Sequence, residues 1–183
     1  VVHPSVVIEG HAIVSADGMI AGADGVMPPG LMNPADWRLF QADLDRAALV
    51  VLGRLGHERH PNPGRRRLVL TRGVTGLELD AGDPLARRWN PDGLGLEAVL
   101  AGLGIATGVV AVTGGQAVFD HFLAIGYDRF VLSVAQSLAI PGGLPCFSGG
   151  RPEAVLAAAG LVPGRTDLID PAAGVTRTIW QRP

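Results

Sequence analysis

The sequence predicts a mixed α/β fold: a mostly parallel central sheet flanked by helices, with an antiparallel hairpin at its C-terminal end. Three observations lead there. Residues 49–52 (Leu-Val-Val-Leu) and 68–70 (Leu-Val-Leu) are short, continuous apolar runs, as expected of strands covered on both faces. Segments with helical spacing alternate with such runs along the chain, the pattern of a sheet wound with helices. Near the end, residues 167–169 and 175–181 read as two strands around a Pro171–Gly174 turn.

Taken in order, residues 6–15 are β-rich and apolar, interrupted by Glu9-Gly10-His11, and form the first strand. Residues 17–33 are rich in glycine and proline and read as a loop, long enough to be functional. Asn33 is an N-cap with Pro34 at the first helical position, and Trp37, Phe40 and Leu44 recur at helical spacing. The strands at 49–52 and 68–70 follow. Residues 94–103 read as a helix, 108–113 as a strand, 115–125 as a helix, 128–134 as a strand and 152–159 as a short alanine-rich helix. Stretches near 61–64, 82–95 and 141–150 read as loops. No composition shift or repeat divides the chain, so residues 1–183 are expected to form a single domain.

Composition narrows the function classes. With 183 residues, 48% of them hydrophobic, the chain can bury one sizeable core. A net charge of −2 argues against a nucleic-acid or anionic-membrane binder. The single cysteine, Cys146, excludes an internal disulfide framework and suits a reducing cytoplasm. Val1 to Glu9 lacks the basic region of a signal peptide. Residues 98–119 are uncharged, but glycines and threonines interrupt them, so a buried helix and strand are expected rather than a membrane span.

The chemistry-bearing motifs come in a meaningful order. Ser15-Ala16-Asp17-Gly18 ends the first strand, and Met27-Pro28-Pro29 precedes Asn33-Pro34-Ala35-Asp36-Trp37. Gly53-Arg54-Leu55 ends the second strand, and Thr71-Arg72 ends the third after Gly64-Arg65-Arg66-Arg67. Thr113-Gly114-Gly115-Gln116-Ala117-Val118-Phe119 then joins a strand to a helix. A helix N-terminus after two glycines offers free amides to a pyrophosphate, although a tight turn without a ligand has the same signature. Arg54 and Arg72 follow separate strands, and guanidinium groups bind phosphate in a two-pronged way. Asp36 lies in the first turn of a helix beside apolar residues, where partial burial raises a carboxyl pKa. The bland reading of Asp36 is a carboxylate that favours the helix dipole.

In this order the motifs resemble the dihydrofolate reductase-like superfamily, closest to the pyrimidine reductase branch of riboflavin biosynthesis, and the resemblance spans most of the chain. It implies an NADPH-dependent reductase that delivers hydride to a C=N bond of a pyrimidine- or pterin-type substrate, similar to 5-amino-6-(5-phosphoribosylamino)uracil reductase. The alternatives are a dihydrofolate reductase proper and a non-catalytic nucleotide-binding protein with the same fold. By resemblance, Gly114, Gly115 and the amides of Gln116, Ala117 and Val118, after Thr113, hold the pyrophosphate. Gly53, Arg54 and Leu55, with Thr71 and Arg72, hold the 2′-phosphate side. Asp36 promotes protonation, backed by Ser133. Asp17, Met27, Trp37, Phe40 and Arg65 face the substrate, with Arg65 matching an arginine that pairs with a folate carboxylate. A cytoplasmic homodimer is also implied.

The sequence departs from the branch pattern in places. Gly56 replaces a threonine after the Gly-Arg, Pro29 stands where tryptophan is common, and residues 43–45 and 55–61 lack the branch's Leu-Arg-Ala and Thr-Val-x-x-Asp-x-Pro. No metal site is expected. His57 and His60 are three apart rather than four, and His3, His11 and His121 are scattered. Pro145-Cys146 has no second cysteine for a deaminase site, Ser148 lacks a nucleophile elbow, and Arg87-Arg88-Trp89 reads as a solvated loop.

Overall fold

The structure, a computed structural model, describes residues 5–183; His3 lies outside them. Strand β1 (Val6–Ser15) runs through the middle of the molecule, followed by the short β2 (Met19–Ala21) and a 3-10 turn at Pro29–Leu31. Helix α1 (Pro34–Arg46) starts as expected: the Asn33 side chain accepts hydrogen bonds from the amides of Ala35 and Asp36 at 3.0 Å, with Pro34 at the first position. Strand β3 (Leu49–Gly53), helix α2 (Arg54–Arg59), β4 (Arg67–Leu70), β5 (Leu77–Leu79) and β6 (Ala86–Trp89) come next. They are followed by α3 (Leu96–Gly102), β7 (Gly108–Val112), α4 (Gln116–Ile125), β8 (Arg129–Ala135), β9 (Leu144–Pro145) and α5 (Pro152–Ala158). The chain closes with β10 (Val162–Asp170) and β11 (Val175–Gln181).

The main sheet has nine strands in the order β10-β11-β8-β1-β7-β3-β4-β6-β5. The run from β8 through β6 is parallel throughout, whereas β5, β11 and β10 are antiparallel to their neighbours. The mostly parallel sheet and the C-terminal hairpin are therefore as expected. One face is covered by α3, α4 and α5 over Ile8, Val51, Leu68, Val112 and Leu132, with Phe119, Phe122, Phe130 and Phe147 interlocked at ring distances of 5.4–6.3 Å where they touch each other or Trp89. On the other face α1 sets Phe40 and Leu44 against Val50, Leu52, Val69 and Ala111.

Several loop expectations need correction. Residues 82–95 include β6, parallel to β4, and Trp89, expected in a solvated loop, is fully buried with its Nε1–H donating to the Leu94 carbonyl at 2.7 Å. Arg87 and Arg88 hid this strand, because an Ala-Arg-Arg-Trp run carries no apolar pattern. Residues 17–33 hold β2, which pairs with β9 inside the expected 141–150 loop. Strand β10 starts at Val162 rather than 167, since an outer strand exposed over most of its length shows no burial periodicity. Helix α3 spans Leu96–Gly102 rather than 94–103, and Gly115 is the N-cap of α4.

Candidate active site

The parallel register brings the Gly-rich and Arg-bearing turns together. Gly53 pairs with Leu70, so Arg54 and Thr71 leave neighbouring strand ends side by side. Val51 pairs with Val112, which sets the 113–115 turn on the other flank of β3. The Gly53 amide donates to the Gly114 carbonyl at 2.9 Å, and the Thr113 hydroxyl donates to the Val51 carbonyl at 3.2 Å. Thr113 thus holds the turn rather than presenting its hydroxyl. In open α/β sheets ligands bind outside the carboxyl ends of parallel strands, and these three turns lie there.

At that end the residues fit a dinucleotide. Gly114 has φ of 96° and its peptide to Gly115 is cis; a Cβ on Gly115 would meet nothing within 4 Å, so the backbone is open to an approaching group. The amides of Gln116 and Ala117 start α4 and have no intrahelical acceptor. The Val118 amide differs: it donates to the Gly115 carbonyl at 3.0 Å, and its side chain is buried against Gly53. The Gln116 side chain also turns away, donating to the Pro145 carbonyl at 3.0 Å.

On the flank, Arg54 is exposed and pairs with Glu58 at 2.7 Å across one turn of α2, while Arg72 is exposed with no ion pair among the described residues. The Thr71 hydroxyl accepts from the Gly73 amide at 3.1 Å and keeps its own proton to donate. Leu55, on the first turn of α2, is exposed. Surface ion pairs of the Arg54–Glu58 kind contribute little, so Arg54 can exchange its partner for a phosphate.

Across β1, α1 presents Asp36 to the sheet. Asp36 is half-buried beside Ser133 on β8, and burial raises its pKa above the usual carboxylate value, partly offset by the Ser133 hydroxyl and by Arg177 and His11. Ser133 is fully buried and pairs with Ile13 of β1. Asn33 fixes the start of α1 and its Nδ2 donates to Asp170 at 2.8 Å, so the position of Asp36 is set from both sides. Trp37 is 49% exposed at the mouth; Phe40 lies beneath, 5.9 Å from Trp37 and 5.7 Å from His11 by ring centroids. Met27 is exposed in the loop after β2, whose tip is held by Arg59 donating to the Gly25 carbonyl at 2.8 Å.

Beneath α1 lies a polar network that sequence reasoning missed. His11 Nε2 sits 3.0 Å from Glu9, its Nδ1 3.8 Å from Asp43, and Glu9 also pairs with Arg129 at 2.7 Å. Arg177 donates to Asp43. The polar break Glu9-Gly10-His11 was the available signal, because residues two apart on a strand share a face.

Two residues expected to face the substrate are engaged elsewhere. Asp17 accepts from the Ser15 hydroxyl at 2.5 Å and from the Ile140 amide at 3.0 Å, and these bonds lower its pKa. It ties the end of β1 to the 138–140 segment. Arg65 lies against α1, bonded to Gln41, Asp45 and Asn62. Its two neighbours part from it: Arg66 donates to the Leu103 carbonyl at 2.6 Å, and buried Arg67 holds Asp83 and the carbonyls of Pro61 and Asn62. A cleft of about 420 Å³ opens between α1 and residues 60–65, with Trp37 and His60 at one side.

No protein-family model matches the sequence, and no curated protein matches it. Solved structures do. A riboflavin biosynthesis protein from Shewanella sp. PV-4 superposes with a TM-score of 0.71 at 19% identity, over 97% of this chain and 99% of that one. The chain has the dihydrofolate reductase-like fold. Dihydrofolate reductase from Enterococcus faecalis, complexed with NADP(H) and RAB-propyl, matches with a TM-score of 0.68 at 19% identity, over 96% of each chain. A third structure with the dihydrofolate reductase-like fold is a diaminohydroxyphosphoribosylaminopyrimidine deaminase/5-amino-6-(5-phosphoribosylamino)uracil reductase from Thermotoga maritima. It matches with a TM-score of 0.67 at 17% identity, over 98% of this chain and 57% of that one. Among the described residues no helix is long and apolar enough to cross a membrane.

Proposed function

We propose that the protein is an NADPH-dependent reductase that delivers hydride to a C=N bond of a pyrimidine- or pterin-type heterocycle. The observation that carries this reading is the placement of Asp36. A half-buried carboxyl with a raised pKa, held by an N-cap and backed by a buried serine, sits at the same end of the sheet as an open Gly-Gly turn. When bound, a nicotinamide dinucleotide supplies the hydride. The chain's own part is to hold the pyrophosphate at Gly114, Gly115 and the amides of Gln116 and Ala117, and the 2′-phosphate at Arg54, Thr71 and Arg72.

Burial disfavours the charged form of Asp36, so it keeps its proton to higher pH than an ordinary aspartate, and it passes that proton toward the ring nitrogen beside the reduced carbon. Ser133 donates to Asp36 and keeps its orientation. Trp37 and Met27 shield the mouth. The fold neighbours, a dihydrofolate reductase among them, support the reaction class.

The reading includes a single domain that acts as a cytoplasmic homodimer. The exposed outer strand β10, with Val162 and Leu168 uncovered, offers an edge for a second copy. Sedimentation of the purified chain tests this point. The decisive experiment for the activity is a screen of pterins, pyrimidines and simple imines with NADPH oxidation as readout. Turnover on one of these classes supports the proposal. Tight NADPH binding without turnover on any of them favours a nucleotide-binding protein that reduces nothing.

A further inference from the structure

Helix α1 sets two carboxylates against the sheet: Asp36 in its first turn and Asp43 two turns later, with Phe40 between them. Alternate residues of a strand share a face, so the layer beneath α1 holds Glu9, His11 and Ile13 of β1, Arg129 and Ser133 of β8, and Arg177 of β11. The register lines up Ile13, Ser133 and Arg177 in one row. Directly opposed residues of paired strands have Cβ atoms about 5 Å apart. Ser133 bonds to Asp36, so its row neighbour Arg177 leaves the sheet beside the same carboxyl.

Arg177 nevertheless pairs with the other carboxylate. Its Nη2 donates to Asp43 Oδ2, and His11 Nδ1 lies 3.8 Å from the same oxygen, while Arg46 donates to Oδ1. The Arg177 and Asp43 side chains are 14% and 12% exposed, so water screens their pair weakly. The other charges of the layer are matched: Glu9 meets Arg129 at 2.7 Å and His11 at 3.0 Å. On β10, Asp170 is held by Asn33 and Asp167 by Arg165. The choice of partner matters, because a cation in contact with a carboxyl stabilises its charged form. As built, burial dominates at Asp36 and raises its pKa; Ser133, Arg177 and His11 partly offset this, and the Asp43 charge adds to it.

We propose that Asp43 is a positioning residue for the proton step: by holding the Arg177 guanidinium two helical turns from Asp36, it prevents an ion pair that would strip Asp36 of the proton it delivers. A long arginine side chain released from Asp43 needs only a change of rotamer to reach Asp36. The inference rests on the reductase reading above and adds to it a residue that touches neither substrate nor cofactor.

The test follows the Asp36 carboxyl directly, by carbon NMR of the ligand-free protein labelled at its aspartate carboxyls and titrated with pH. Asp36→Asn identifies the signal. In Asp43→Asn the released Arg177 turns to Asp36, and the titration midpoint should move to lower pH. In Arg177→Met it should move to higher pH; Asp43 keeps Arg46 as a partner there, so this variant retains its fold. The double variant Asp43→Asn/Arg177→Met should titrate near the unaltered protein. Turnover on the best substrate should follow the same order. Asp43→Asn should be slower by about tenfold at neutral pH, with KM and NADPH affinity nearly unchanged, and the double variant should recover. A purely structural role predicts the reverse, since the double variant removes more of the network.

An unmoved Asp36 midpoint in Asp43→Asn overturns the inference. So does a double variant that titrates as low as Asp43→Asn, because the lost Asp43 charge alone would then account for the change. If Asp43→Asn does not fold, Arg177→Met decides, and a midpoint that fails to rise there overturns the inference. Turnover of a substrate with unmoved midpoints leaves the reductase reading standing without this role for Asp43. The expected order of midpoints, with no turnover on any substrate, supports the hold of Asp43 on Arg177 and removes the reductase reading.

Discussion

The Gly53 amide and the Gly114 carbonyl, far apart in the chain, meet in a 2.9 Å hydrogen bond that joins the two turns at the carboxyl ends of β3 and β7. The bond places the Arg-bearing turn and the Gly-Gly turn at one fixed spacing, as a ligand with two separated phosphate groups requires.

The two glycines of the second turn should respond differently to substitution. A Cβ on Gly114 would lie 2.7 Å from the Phe119 ring, in a backbone with φ of 96°, so Gly114→Ala should destabilise the fold by about 1–3 kcal/mol. A Cβ on Gly115 meets nothing within 4 Å and needs no positive φ. Gly115→Ala should therefore melt near the unaltered protein yet bind NADPH about tenfold or more weakly, because the methyl fills the space a pyrophosphate would take. Thermal melts alongside NADPH titrations check the pair. A Gly115→Ala protein with full NADPH affinity would take the turn out of the cofactor site.

Cofactor choice should follow the exposed arginines. Arg54 and Arg72 flank adjacent strand ends, so NADPH should bind more tightly than NADH by about tenfold. Arg72→Ala should erase most of that preference while leaving NADH affinity unchanged. Arg54→Ala should act in the same direction but less strongly, because Arg54 must first leave Glu58. Parallel titrations of both cofactors against each variant provide the measurement, and equal affinities in the unaltered protein would remove the assigned role.

Much of this arrangement was legible in the sequence for physical reasons that differ by element. Asn33-Pro34 announced the start of α1, and the strands at 49–52 and 68–70 showed themselves because burial on both faces leaves only apolar residues. Strand β6 was hidden because Arg88 finds Asp80 at 3.0 Å and so keeps a charge on a strand. Asp36 was legible as a helix N-terminal carboxylate, but the nearby charge of Arg177, which pairs with Asp43, was not. A hairpin arginine shows no sign in sequence of which helix will cover it. Arg65 matched a pattern by position, and only the structure shows that Asp45, Gln41 and Asn62 use all its donors.

Buried Arg67 should matter to stability rather than to ligand binding. Its side chain is fully buried and holds Asp83 together with the Pro61 and Asn62 carbonyls, so it anchors the far wall of the cleft. Arg67→Met fills similar volume but leaves those carbonyls without a donor. It should cost about 1–3 kcal/mol in urea-induced unfolding, with NADPH affinity retained. Asp83 stays partly solvated, which keeps the loss below that of a wholly buried broken pair. A variant as stable as the unaltered protein would show that the arginine is replaceable by packing alone.

Asp36 should show opposite effects on activity and stability. Burial raises its pKa in the folded protein, so the native state binds this proton more tightly than the unfolded chain does. The sign follows from linkage. Below the ordinary aspartate value of 3.8 both states are protonated and the carboxyl costs nothing. As pH rises through the folded pKa, the native state must accept a half-buried charge, and stability is lost. Asparagine cannot ionise, so Asp36→Asn should melt higher than the unaltered protein at neutral pH, and the two curves should converge in acid. The same change removes the proton that the proposed reaction needs, so turnover should fall by about 10²–10⁴-fold with NADPH affinity nearly unchanged, since the phosphate-binding turns lie on other segments. Melting temperatures from pH 3.5 to 8, set beside single-turnover rates on the best substrate, check both halves. A variant that loses stability at neutral pH would mean the carboxylate is charged and well paired with Arg177, and full turnover would take Asp36 out of the proton step.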